Sequence, residues 1–228
     1  MLDKLQSHLL KWPKELQEEF DKPYIKKLDT LLVQDSADLC PNKQDIFRAY
    51  EAVPFNAVKV VILGLDPYIN GEACGMSFSC QTGKVPPSLR VIFNELLKSG
   101  LSIKKRTNGD LTDWANQGVF LLNTILTTTR GRTLAHAKYG WQEFTGTTLR
   151  LLAQNPNPIV FMAWGEHAKS SISKYVTPYL STKKLVIKNC HPAAELYGRM
   201  RFTDSGDFLE VNKFLTLNNL EPIVWDTE

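Results

Sequence analysis

Four short apolar runs punctuate the chain: residues 58–63 (VKVVIL), 118–122 (GVFLL), 159–163 (IVFMA) and 185–187 (LVI). Their length, with almost no polar alternation, predicts strands buried on both faces, as in a parallel sheet. Between them the apolar positions recur at helical spacing. Residues 88–98 follow two prolines and carry Leu89, Ile92, Phe93, Leu96 and Leu97; residues 141–152, 166–175 and 205–214 continue the alternation. Strand and helix in turn predict an α/β fold, a doubly wound central four-stranded parallel sheet flanked by helices and joined by right-handed crossovers. Such sheets bind ligands beyond the carboxyl ends of their strands, so the polar residues after each run have the first claim on function.

After the first run comes Gly64-Leu65-Asp66-Pro67-Tyr68, and after the second Asn123-Thr124. The third is followed by Trp164-Gly165-Glu166-His167, a helix start whose backbone N–H groups suit an anion. The fourth leads into Asn189-Cys190-His191-Pro192. Singly, each has an ordinary reading: a turn aspartate, a capping asparagine, a structural histidine. Together they bring a carboxylate, an amide, an imidazole and a helix N-terminus to one sheet edge. No serine–histidine nucleophile motif, P-loop or GxGxxG accompanies them. The set suits hydrolysis at a centre that develops positive charge. It suits recognition of a planar, amide-like ligand equally well.

Bulk properties narrow this only a little. The length, 228 residues, and a hydrophobic fraction of 43% predict one domain, residues 1–228, with a substantial core. A net charge of +3 permits nucleic-acid binding without demanding it. No apolar run is long enough to cross a membrane. Residues 1–12 mix charge with leucine and read as an amphipathic helix rather than a signal peptide. An intracellular protein is expected, cytoplasmic in a bacterium or nuclear in a virus-infected host. Cys40, Cys74, Cys80 and Cys190 form no C-x-x-C pair, which predicts reduced structural thiols rather than a metal site.

Several motifs in order give the chain a resemblance to the uracil-DNA glycosylases of the single-domain type, running from Trp12 to Trp225. The water-activating GQDPYH appears as Gly64 to Ile69 (GLDPYI), and G-L-x-F-S as Gly75 to Ser79. P-P-S-L is Pro86 to Leu89, L-L-N-T is Leu121 to Thr124, and Ala135-His136-Ala137 through Gly140-Trp141 also matches. The H-P-S-P-L loop is His191 to Leu196 (HPAAEL). The resemblance implies that uracil is flipped out of single- or double-stranded DNA and its bond to deoxyribose hydrolysed, with no metal or organic cofactor. It implies that Asp66 orients water and stabilises charge on the sugar. Asn123 would read the uracil edge, while His191 and the Leu65 N–H donate to uracil O2. Phe78 would stack on the base, and Tyr68 would block the methyl group of thymine. Ser88, Gly165, Glu166, Ala193, Leu196, Arg199 and Arg201 would face the DNA. The resemblance also names a DNA-mimicking protein inhibitor as a candidate partner, and a monomer.

The chain departs from the family pattern at definite places. Leu65 stands for glutamine and Ile69 for histidine, Glu166 and Ala193 replace phosphate-gripping serines, and the segment from Tyr68 to Phe78 is one residue shorter. A weaker DNA grip is expected, offset by Lys169, Arg199 and Arg201. Beyond His191 the loop is one residue longer. That places Leu196 at the wedge that fills the space left by the flipped base, with Glu195 outside the stack and of little consequence. The rival reading is a DNA-binding or polymerase-partner protein on the same scaffold. Asp66, Tyr68, Phe78, Asn123 and His191 together argue against it, since binding alone requires no such set.

Overall fold

A computed structural model describes residues 1–226 of the chain. Its centre is a four-stranded parallel sheet formed by β1 (Val60–Gly64), β2 (Val119–Asn123), β3 (Ile159–Trp164) and β4 (Lys184–Asn189) in the order β2-β1-β3-β4. The chain moves one way across the sheet after β1 and the other way after β2. Right-handed crossovers in opposite directions lie on opposite faces, so the sheet is covered on both sides. This is why β1, with sequence VVILG, is buried at every position.

The longer helices are α1 (Pro23–Gln34), α2 (Pro87–Lys98), α3 (Trp141–Gln154), α4 (Glu166–Tyr175) and α6 (Asp207–Leu217), with a five-residue helix, α5 (Pro192–Leu196), between the last two. Helix α2 connects β1 to β2, α3 connects β2 to β3, and α4 connects β3 to β4. Proline in the first turn of α2 suits a position whose N–H has no helical partner. Leu89, Ile92, Phe93 and Leu96 bury one face of α2 at the spacing read from the sequence. Glu95 is buried on the same helix, an exception that matters below.

The expected elements recur with shifted ends. The last helix begins at Asp207 rather than 205 because Gly206 turns through the left-handed region (φ +72°) immediately before it. The fourth strand extends on both sides of its apolar core. Buried Lys184 is accommodated there because its Nζ donates to the carbonyls of Asn155 and Asn157, each at 2.6 Å. The N-terminal segment is helical over Leu2–Leu9, but wound as a tight 3₁₀ helix rather than an α-helix. Asp29 draws its first turn inward by accepting both the Met1 ammonium and the Leu2 N–H at 2.7 Å. No helix among the described residues is long and apolar enough to cross a membrane.

Candidate active site

A cleft of about 350 Å³ opens beyond the carboxyl ends of the strands, walled by Leu65, Asp66, Tyr68, Phe78, Asn123 and His191. Its size falls at the lower end of what small-ligand sites use. Close approach of β1 and β2 builds the floor. A Cβ on Gly64 would lie 2.2 Å from the Asn123 Oδ1 and 2.8 Å from the Ser77 Cβ, so only glycine fits there. The strand ends are tied together beyond that point. Gly64 O accepts the Thr124 N–H at 3.0 Å, and Leu65 O accepts both the Ile125 N–H at 2.9 Å and the Thr124 hydroxyl at 3.0 Å. The Asn123 backbone is therefore fixed, while its carboxamide has no partner among the described residues.

Asp66 is held from across the cleft. Its Oδ2 accepts the Leu134 N–H at 2.6 Å and the Thr133 hydroxyl at 3.0 Å, leaving Oδ1 available. Leu134 adopts a left-handed conformation (φ +56°), which is costly for a branched residue and stable only when its surroundings enforce it. Fully buried His136 supplies that enforcement. Its two ring nitrogens meet the Thr127 and Thr129 hydroxyls at 2.9 and 3.1 Å, and its ring stacks on Tyr139 at 4.4 Å. The sequence motif around His136 points to this loop, but nothing in it reveals that Thr133 and Leu134 grip Asp66.

Phe78 also has positive φ (+61°), so its ring is presented at a backbone cost. The ring rests edge-on against buried Trp164 at 5.6 Å and lies 6.0 Å from the His191 ring. Trp164 is fixed in turn by donating Nε1–H to Asp207 at 2.9 Å. Tyr68 donates its hydroxyl to Phe78 O at 3.3 Å, and burial pushes its phenol well above the ordinary value. Ile69 lines the same cleft, as does Glu72, whose Oε2 is buried without a partner among the described residues.

His191 caps α5. Its Nδ1 accepts the Ala193 N–H at 3.1 Å, which makes Nε2 the protonated nitrogen of the neutral ring. Burial lowers its pKa and favours that neutral form. Gly165 (φ +85°) lets the chain pass closely beneath, since a Cβ there would lie 3.0 Å from the His191 Cβ.

Residues 51–216 match the family described as the uracil DNA glycosylase superfamily. The chain belongs to this superfamily. It is 42% identical over 221 residues to the uracil-DNA glycosylase of Clostridium beijerinckii, covering 95% of this chain and 96% of that protein. It is 39% identical over 219 residues to uracil-DNA glycosylase 1 of Listeria innocua, covering 94% and 96%. Among solved structures it resembles mimivirus uracil-DNA glycosylase at 26% identity and a TM-score of 0.85, covering 99% of this chain and 92% of that one. A mimivirus variant crystallised in complex with UGI matches at 28% identity and a TM-score of 0.87, covering 98% and 90%.

Of the residues expected to meet DNA, Ser88 lines the cleft and the others lie beyond its lining. Ser88 stands at its rim in the first turn of α2. Glu166 begins α4 with an exposed side chain that accepts the Lys169 ammonium at 2.9 Å. The two side chains form an exposed ion pair one helical turn apart, which partly offsets the Glu166 charge. Leu196, Arg199 and Arg201 are exposed on the loop after His191, where Arg199 lies 5.8 Å above the Tyr197 ring and Arg201 pairs with Asp204. Glu195 differs most from expectation. It is bound into the loop, accepting the Phe202 and Thr203 N–H groups at 2.7 Å each and the Thr203 hydroxyl at 3.0 Å.

Proposed function

We propose that Asp66, Asn123 and His191 carry out uracil excision in this chain. The chain is a DNA-repair hydrolase of the uracil-DNA glycosylase family, acting on the bond between uracil and deoxyribose. The observation that carries the residue assignment is the convergence of three complementary groups on one cleft: the unpaired carboxamide of Asn123, the Nε2–H of neutral His191, and the available Oδ1 of Asp66.

Asn123 matches the N3–H donor and O4 acceptor of uracil; cytosine presents the reverse pattern and would leave buried groups unpaired. Phe78 stacks on the flipped base. As the C1′–N1 bond breaks, its electron pair leaves with uracil, and the His191 Nε2–H and the Leu65 N–H stabilise the negative charge on O2. Asp66 offsets the positive charge on the sugar and holds the water whose oxygen bonds to C1′. Tyr68 occupies the space a thymine methyl would need. Ser88 offers phosphate its hydroxyl, and Gly165 and Ala193 border that contact, their own N–H groups being donated to Asn189 O and His191 Nδ1. Glu166 borders that contact with its charge offset by Lys169.

Residues 1–228 act as one domain and a monomer inside the cell, on single- and double-stranded DNA. The same face, rich in groups that take phosphate, suits a DNA-mimicking protein inhibitor, as in the mimivirus complex with UGI. The test is base release from oligonucleotides containing a single uracil, with thymine and cytosine controls, in single-stranded and duplex form. Release of uracil alone is expected. Release of thymine or cytosine at a comparable rate would remove Tyr68 and Asn123 from their assigned roles.

A further inference from the structure

Three large apolar side chains stand exposed on five consecutive residues: Leu196 at 47%, Tyr197 at 73% and Met200 at 59%. Grouped exposure of this kind marks a contact surface rather than ordinary surface scatter. The loop that carries them is closed at its base. Glu195 O accepts the Gly198 N–H and Ala194 O accepts the Arg199 N–H, each at 3.0 Å, making the outward turn. The Glu195 carboxylate then reaches across to the returning segment and takes the Phe202 N–H, the Thr203 N–H and the Thr203 hydroxyl. Phe202 is fully buried and packs edge-on against Trp164 at 5.0 Å, so the returning segment is anchored to the ring on which Phe78 also rests. Below it, buried Glu95 of α2 accepts the Gly206 N–H at 3.0 Å and the Asp204 N–H at 2.5 Å.

We propose that Glu195 is a positioning residue for opening duplex DNA, its carboxylate joining the two ends of the loop so that Leu196 is presented as a rigid wedge. This rests on the assignment of Leu196 as the residue that fills the space left by the flipped base. Two backbone N–H groups and a hydroxyl converging on one carboxylate are charge-assisted hydrogen bonds, about twice as strong as neutral ones. Burial raises the carboxyl pKa, but these three bonds outweigh it and hold Glu195 below the usual carboxylate range. Without them the loop has to be ordered during base flipping, and that entropy falls on the step. Single-stranded DNA has little stacking to break and makes no such demand. The family resemblance assigns Glu195 nothing, because its partners lie seven and eight residues further on and only the folded loop brings them together.

The experiment is single-turnover uracil release from matched single-stranded and duplex substrates by wild type, Glu195→Ala, Glu195→Gln, Leu196→Ala and the double variant Glu195→Ala/Leu196→Ala. Glu195→Ala is expected to lose roughly tenfold on duplex, the effect of one such hydrogen-bond set, and less than about twofold on single strands. Glu195→Gln recovers part of the loss, because its carboxamide oxygen still accepts. The double variant should match Leu196→Ala, since Glu195 acts through Leu196. Hydrogen exchange at the Phe202 and Thr203 amides reads the link directly, and Glu195→Gln serves for both measurements if the alanine variant does not fold. Equal losses on the two substrates, additive losses in the double variant, or unchanged exchange at those amides would overturn the proposal. If Leu196→Ala slows duplex release while Glu195→Ala does not, the wedge stands and the positioning role fails. If Leu196→Ala spares duplex release, both fail.

Discussion

The cleft and the loop beyond His191 reach rigidity by different routes. The cleft is assembled from strand ends, where Gly64, Asn123 and Asp66 are placed by the sheet register and short backbone bonds, within one or two residues of β1 and β2. The loop from α5 to α6 has no sheet to rest on. It is held by carboxylates that reach backbone N–H groups, Glu195 to residues 202 and 203 and Glu95 to residues 204 and 206. On the proposed assignment the chemistry sits on the sheet, while the DNA-opening element sits on a loop whose shape depends on a few charged contacts. Substitutions in the cleft should slow single-stranded and duplex substrates alike. Substitutions in the loop should separate the two.

The largest effect is expected from Asp66→Asn. The amide keeps the shape of the side chain but loses the charge opposite the developing cation, which is worth on the order of 10²–10³ in rate. Single-turnover rates should fall by that factor on both substrates, with DNA binding retained. A rate unchanged within twofold would take Asp66 out of the mechanism. Gly64→Ala comes next. Its Cβ would sit 2.2 Å from the Asn123 Oδ1, and the carboxamide has to move to relieve the clash. Displacement of a positioning group by about 1 Å costs on the order of 10²-fold. The loss should appear in kcat/KM for both substrates, with a lower melting temperature, because the buried Ser77 Cβ at 2.8 Å must also be displaced. A loss confined to duplex DNA would dissolve the distinction between cleft and loop.

Such tests bear on what the chain reveals before it is folded. The strands and helices of the sheet were legible because each is a local pattern: continuous apolar runs, proline before α2, apolar residues at helical spacing. The cleft residues were legible because strand ends converge by topology, so Asp66, Asn123 and His191 could be grouped without coordinates. Thr133 and Leu134, which grip Asp66, were not. Their placement depends on His136 packing between two threonines and on a strained backbone that no local composition announces. The bonds of Glu195 were hidden for a related reason. A carboxylate beside a DNA-facing loop suggests repulsion, and only the loop's return path shows that its charge is spent on N–H groups. Lys169, expected to help grip DNA, also pairs with Glu166 one helical turn away, a contact its sequence position alone did not announce.

The pH dependence sharpens the reading of His191. Burial lowers its pKa below the ordinary value of 6.5, so protonation of the ring is harder in the folded enzyme than in the unfolded chain. The neutral Nε2–H donor therefore persists to lower pH, and the acid limb it contributes to the single-turnover rate should lie below 6.5. The same shift makes the unfolded chain bind more protons between the two pKa values. Stability should accordingly fall as pH drops through that window and be unaffected by this group above it. A limb at or above 6.5 that vanishes in His191→Gln would mean that the ring is not held neutral, and the tautomer assigned from Ala193 would be wrong.

The smallest effect is expected at Ile69, where the family pattern has histidine. Ile69 lines the cleft and is half-buried, and its carbonyl is pinned by the Gly131 N–H at 2.9 Å. The backbone direction is therefore set, and a histidine placed there enters the cleft that holds Asp66. Two opposing terms decide the outcome. An imidazole that hydrogen-bonds the attacking water or a phosphate contributes about 1 kcal/mol, or roughly fivefold in rate. Removing a half-buried isoleucine and partly desolvating a polar ring acts the other way, but it falls mainly on stability. Ile69→His should thus release uracil a few-fold faster on both substrates while melting at a lower temperature. A gain on duplex alone would place the new side chain against DNA rather than beside the water. A rate at or below wild type would show that the loop, one residue shorter than the family pattern, turns position 69 away from Asp66.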